Sequence, residues 1–221
     1  METQLKSTNI IIVYLDIKYE FIDSNVLRSL MGPQKEFGSN LLEQANFKQL
    51  VLPQSKKIIA ITPDRKVVVE DASGEKPERS KLITEYLDTA LKAVGPAATQ
   101  PVAYGFNYSI VVNDVENGPN KQRVLETFNL AESLKNFKTK GVGLRITYEP
   151  QDEDTLDYKK RFDLRLESNP LKESQYIVNF NAHYYELSKG MLPVNNLLSK
   201  QYNKDWKHLV DLTSSLFKKN E

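Results

Sequence analysis

The chain has 221 residues, 40% of them apolar and 27% charged, and its 30 lysines and arginines face 29 aspartates and glutamates for a net charge of +1. That composition suits a folded chain with a sizeable core, and the balanced charge removes bulk attraction to nucleic acid or to a membrane surface as a starting argument. With no cysteine, disulfides, thiolate metal sites and cysteine nucleophiles are excluded.

The polar start, Met1 to Thr8, and the short apolar run Ile10 to Val13 make neither a signal-peptide core nor a membrane span, so the expectation is a cytoplasmic protein with no membrane partner. From Ile10 to Phe21 apolar and polar residues alternate, with Val13, Leu15, Ile17, Tyr19 and Phe21 as the buried set of a strand. Between Ser24 and Pro53 the spacing of Val26, Leu27 and Leu30, and then of Leu41, Leu42 and Ala45, predicts two short helices broken at Gly32-Pro33. Lys57–Thr62 and Lys66–Glu70 are β-rich runs joined by Pro63-Asp64-Arg65, a hairpin pattern. Pro77 is placed in the first turn of a helix whose apolar face runs through Leu82, Ile83, Tyr86, Leu87, Ala90, Leu91 and Val94, stopped by Gly95-Pro96.

Val102 to Asn113 alternates again and predicts a central strand with Tyr104, Phe106, Tyr108, Ile110 and Val112 on one side and small residues on the other. A loop at Asn117–Asn120 and a helix through Val124, Leu125, Phe128 and Leu134 follow, ending in the basic stretch Lys135–Lys140. Three strands, Val142–Glu149, Lys160–Ser168 and Tyr176–Glu186, form an antiparallel meander. From Val194 the positions Leu197, Leu198, Tyr202, Trp206, Leu209, Val210, Thr213, Leu216 and Phe217 mark a long amphipathic helix. The fold class is therefore α+β: a mainly antiparallel curved sheet of two meander-like halves, with long amphipathic helices packed on one face. Residues 1–221 form a single unit, with pseudo-similar halves of about 1–117 and 118–221.

Chemistry-bearing motifs are scarce. Asp152, Glu153, Asp154 and Asp157 lack the glycine and glutamate that a calcium loop of the EF-hand type requires at its sixth and twelfth positions, and Gly141 and Gly143 do not join a strand to a helix as a phosphate loop would. His183, on a strand, has no nucleophile assigned to it by motif, and His208 falls among polar, solvated positions. No cofactor or metal site is expected, and the chain reads as no enzyme. The inward aromatics, Tyr104, Tyr184, Tyr202 and Trp206 among them, read as core.

One surface stands out. Arg145, Arg161 and Arg165, with Lys159 and Lys160 nearby, share a predicted outward face with Asn179, Asn181, His183 and Tyr185, and Asp163 and Glu167 lie among them. The function this predicts is a non-catalytic binding or assembly module, an accessory or adaptor subunit whose main partner is another protein, a second copy of itself included. Two alternatives remain: a single-stranded nucleic-acid binder using that same face, and a small apolar ligand held between the sheet and the C-terminal helix.

Overall fold

The computed structural model describes residues 2–32, 38–113, 143–150, 157–169, 172, 175–188, 192–193 and 195–217. The predicted loop at Asn117–Asn120, the helix through Val124–Leu134, the basic stretch Lys135–Lys140 and the acidic residues Asp152–Asp154 lie outside the described residues. The described strands are β1 (Glu2–Tyr14), β2 (Asn40–Gln44), β3 (Phe47–Leu52), β4 (Lys57–Thr62), β5 (Lys66–Asp71), β6 (Pro101–Asn113), β7 (Gly143–Tyr148), β8 (Lys159–Ser168) and β9 (Gln175–Tyr185). They form one antiparallel sheet in the order β2-β3-β4-β5-β1-β6-β9-β8-β7. The two long strands β1 and β6 pair at its middle, and each is flanked by the last strand of the meander that follows it in sequence, β5 beside β1 and β9 beside β6.

Register explains where the core lies. Leu50, Ile59, Val69, Ile10, Phe106, Ala182 and Phe162 are successive cross-strand partners from β3 to β8, and all are buried. Residues two apart on a strand share a face, so this row and its neighbours make one apolar surface. Helix α3 (Asn195–Phe217) lies on it. Its buried residues Leu198, Gln201, Tyr202, Asp205, Trp206, Leu209 and Thr213 recur at helical spacing. Leu197 and Leu216 of the predicted stripe point away, being 42% and 39% exposed.

The tyrosines inside are anchored at both ends. Their rings pack on one another, Tyr104 stacked on Tyr184 at 4.5 Å and Tyr108 on Tyr202 at 5.3 Å between centroids. Tyr104 Oη donates to Gln201 Oε1 (2.9 Å), Tyr108 Oη to the Tyr202 carbonyl (2.6 Å) and Tyr184 Oη to Asp205 Oδ2 (2.8 Å), while Tyr202 Oη and Thr8 Oγ1 share a 2.6 Å hydrogen bond. A buried hydroxyl without such a partner is costly, so these bonds fix the helix against β1, β6 and β9.

Several expectations are corrected. The first strand begins at Glu2 and ends at Tyr14, and its buried set is Leu5, Thr8, Ile10, Ile12 and Tyr14; Leu15 and Phe21 are each 57% exposed. The chain leaves the sheet after Tyr14, with Leu15 N–H donating to the Gln100 carbonyl, so alternation beyond that point no longer reports a strand face. Only the first of the two short helices forms, as α1 (Ser24–Arg28), with Asp23 Oδ1 accepting from the Asn25 and Val26 amides. Leu41 and Leu42 belong instead to the hairpin β2–β3, where Leu41 pairs with Leu50 on the core side and the pattern of tertiary burial overrides the helical spacing. The hairpin β4–β5 forms as expected, Arg65 taking a positive φ of 63° in its turn. Pro77 sits in a turn before the next helix and not inside it; there Ser80 Oγ accepts from Leu82 N–H (3.2 Å). That helix, α2, is shorter and less regular than predicted: Leu82–Leu87 is a wide π-type segment, and regular α-helix covers only Asp88–Val94.

Candidate recognition surface on the open face of the sheet

Both α2 and α3 lie on the core side, so among the described residues the opposite face of the sheet is open. The register assigns its rows. Arg145, Arg165, Asn179 and Ser109 are partners across β7, β8, β9 and β6. Thr147, Asp163, Asn181, Asn107 and Asn9 form the next row, and Arg161, His183, Gly105 and Ile11 the one after. Lys159, Tyr185, Ala103 and Val13 follow. The residues Arg145, Arg161, Arg165, Asn179, Asn181, His183 and Tyr185 thus stand on one face. Lys160, expected near them, does not: it points to the opposite face, where its ammonium meets Asp205 Oδ1 at 2.7 Å and both side chains are buried. A strand offers the two faces alternately, and the residues two positions to either side of Lys160, Tyr158 and Phe162, give no sign that its ammonium has an acid waiting on α3.

The charges on the open face are mixed. Asp163 lies between two arginines, 3.5 Å from Arg145 Nη2 and 3.6 Å from Arg161 Nε, and accepts a hydrogen bond from Thr147 Oγ1 (2.5 Å). Arg165 Nε is 3.7 Å from Glu167 Oε1, and Lys159 pairs with Glu186 at 2.8 Å. Such exposed pairs add little stability, but they neutralise much of the local positive potential. His183 stacks on Tyr185 with centroids 5.5 Å apart, and the Arg161 guanidinium lies 6.0 Å from the Tyr185 ring centre. Burial, followed by the Arg161 charge, holds the His183 imidazole below its ordinary value, and Asp163 only partly offsets this. The surroundings of His183 therefore favour its neutral ring over the imidazolium.

His208 is corrected: it is half-buried, stacked on Phe162 at 4.8 Å and hydrogen-bonded through Nε2 to Tyr148 Oη at 2.8 Å, because the core stripe of α3 is wider than its apolar residues alone indicate.

Two features escaped the sequence reading. An amide ladder crosses the middle of the sheet: Asn181 Nδ2 donates to Asn107 Oδ1 (2.5 Å) and Asn107 Nδ2 to Asn9 Oδ1 (2.7 Å). Asn107 and Asn181 each sit between two apolar or aromatic strand residues and Asn9 between Thr8 and Ile10, but only the register shows that the three are neighbours. The ladder forms the floor of a cavity of about 540 Å³ with Arg145, Arg165 and Asn179 at its wall. On the other side of β1, the open face turns apolar: Ile11 pairs with Val68 and Val68 with Ala60, beside Ile58 and its partner Val51. Ile11, Val51, Ile58 and Val68 are only partly buried.

Among the described residues, no group of three or more His, Cys, Asp or Glu side chains is placed to hold a metal ion, and no helix is long and apolar enough to cross a membrane. No family model matches the chain, and no curated protein matches it. Among solved structures, Methanococcus jannaschii TBP is similar over 94% of this chain and 99% of its own, at 12% identity and a TM-score of 0.39.

Proposed function

We propose that this protein is a non-catalytic binding module whose main partner is another protein, and that the partner docks on the open face of the sheet. The observation that carries this reading is the two-part character of that face. An apolar strip through Val51, Ile58, Val68 and Ile11 runs directly into the polar surface of Asn107, Asn181 and the arginines. Apolar area beside a polar, hydrogen-bonding region is the composition of a protein interface. A polyanionic strand would leave the apolar strip uncovered and would meet Asp163 and Glu167 beside each arginine it sought. In the same reading the chain is a single unit of two pseudo-similar halves, about residues 1–117 and 118–221, each contributing a meander and an amphipathic helix.

Affinity purification at low and high salt, with nuclease and a mass measurement, tests the reading. A protein, or a second copy of the chain, should co-purify at both salt concentrations and should be lost from a Val68→Lys, Ile58→Lys variant that keeps its fold. Co-purifying nucleic acid that is lost steeply with salt would overturn it.

A further inference from the structure

Among the described residues the sheet ends on β2 at one side and on β7 at the other. Sheet edges are protected by charge turned inward, by proline or by bulges. On β2 the charge is Glu43, which lies on the core side with Leu41 and is held by Arg28 and by Lys48. β7 has none of these devices. It contains no proline, its register with β8 runs unbroken from Gly143 to Tyr148, and its core side carries only Leu144, Ile146 and Tyr148. Leu144 and Tyr148 pack against the core, but Ile146 is 38% exposed, and Gly143, Arg145 and Thr147 are exposed as well.

This edge is complementary to itself. A two-fold axis normal to the sheet pairs a strand with its own copy antiparallel and keeps the two faces continuous, so it passes between one residue and the same residue of the copy. Centred on Arg145 it would set two guanidinium groups opposite each other, and centred on Leu144 or Thr147 it would pair only three residues of β7. Centred on Ile146 it pairs the five residues from Leu144 to Tyr148. Ile146 then meets Ile146 of the second copy and Leu144 meets its Tyr148, apolar pairs of the kind that stabilise a sheet. On the open face Arg145, whose neighbour in its own sheet is Arg165, meets Thr147 of the second copy, with Asp163 of that copy next in the row. No like charges are opposed across the axis.

We propose that two copies of this chain associate through β7, antiparallel and centred on Ile146, so that their sheets run on as one. The contact goes beyond the reading of the open face and leaves that face free for its partner. A strand pair of this length buries little area, so the dimer is of the weak, concentration-dependent class, half-formed at about 10–100 µM and lost on the dilution of an affinity purification.

Sedimentation velocity of the full chain from about 5 to about 500 µM tests this, with the mean mass expected to rise from that of one chain toward that of two. Ile146→Lys should move the midpoint at least about tenfold upward, while Leu42→Lys on the other edge, and Val68→Lys with Ile58→Lys on the open face, should leave it in place. Because Ile146→Lys acts on the core side, cysteine variants give a second reading in a chain that has no cysteine of its own. Directly opposed residues of an antiparallel pair are close enough for a disulfide, so Ile146→Cys should form a covalent dimer on mild oxidation, and Thr147→Cys and Leu42→Cys should do so far less. A chain that stays monomeric throughout, a dimer indifferent to Ile146→Lys, or Thr147→Cys crosslinking more readily than Ile146→Cys overturns the proposal. A dimer lost with Val68→Lys and Ile58→Lys but kept with Ile146→Lys also overturns it, while supporting the open face as the site of association.

Discussion

Lys160 Nζ lies 2.7 Å from Asp205 Oδ1, with the two side chains 2% and 0% exposed, so a strand of the sheet and the C-terminal helix are joined by a buried ion pair. The pair is completed by Tyr184 Oη on the second carboxylate oxygen and by the rings of Phe162 and Tyr184, whose centres are 4.5 and 5.1 Å from the ammonium. Removing Asp205 takes a counter-charge from a buried ammonium. Asp205→Ala should cost about 3–5 kcal/mol in urea unfolding, whereas Lys160→Met with Asp205→Leu should recover most of that loss. An equal cost for the single and double variants would show that the charges do not act as a pair.

The hydroxyl of Tyr108 makes a smaller contribution of the same kind. Its 2.6 Å bond to the Tyr202 carbonyl is buried, and Tyr108→Phe should lower stability by about 1–3 kcal/mol without changing the fold, measured by chemical denaturation.

These anchors mark the boundary of what the sequence reveals. The strands β6 to β9 and the helix α3 were legible because alternation and helical spacing persist there over six residues or more, as in Tyr104–Val112, and the hairpin β4–β5 because two β-rich runs flank Pro63-Asp64-Arg65. The hairpin β2–β3 was not, since Leu41, Leu42 and Ala45 satisfy helical spacing equally well and only the pairing of Leu41 with Leu50 decides between them. The face shared by Arg161, Arg165, Asn179 and Asn181 followed from strand parity alone. The facing of Arg145 and Arg165, the amide ladder from Asn181 to Asn9 and the burial of Lys160 did not, because each depends on which strands are neighbours and in what register.

His183 supplies a pH-dependent term with a definite sign. Its folded-state value is held below the ordinary 6.5 by burial and by Arg161, against Asp163, so between the two values the unfolded chain binds the proton more readily. Its stabilising contribution is present above pH 6.5 and is lost as pH falls through 6.5 toward the lower folded value. The imidazole resonances should titrate with a midpoint below 6.5, and His183→Asn should flatten the stability slope in that window. A midpoint above 6.5 would mean that Asp163 dominates its surroundings.

Arg161→Glu with Arg165→Glu should abolish partner binding and change stability by no more than about 0.5 kcal/mol, since the side chains are 43% and 53% exposed. Unchanged binding, judged by co-purification beside a thermal melt, would remove the arginines from the interface.

The central claim, that the open face is where a protein partner docks, is tested most directly by photo-crosslinking inside cells. A photoreactive residue placed at Leu42 or Glu167, both exposed on the open face, should yield a discrete protein adduct, and one at Lys207, exposed on α3, should not. Adducts formed at Lys207 and absent from both open-face positions, or adducts that disappear on nuclease treatment, would contradict the account.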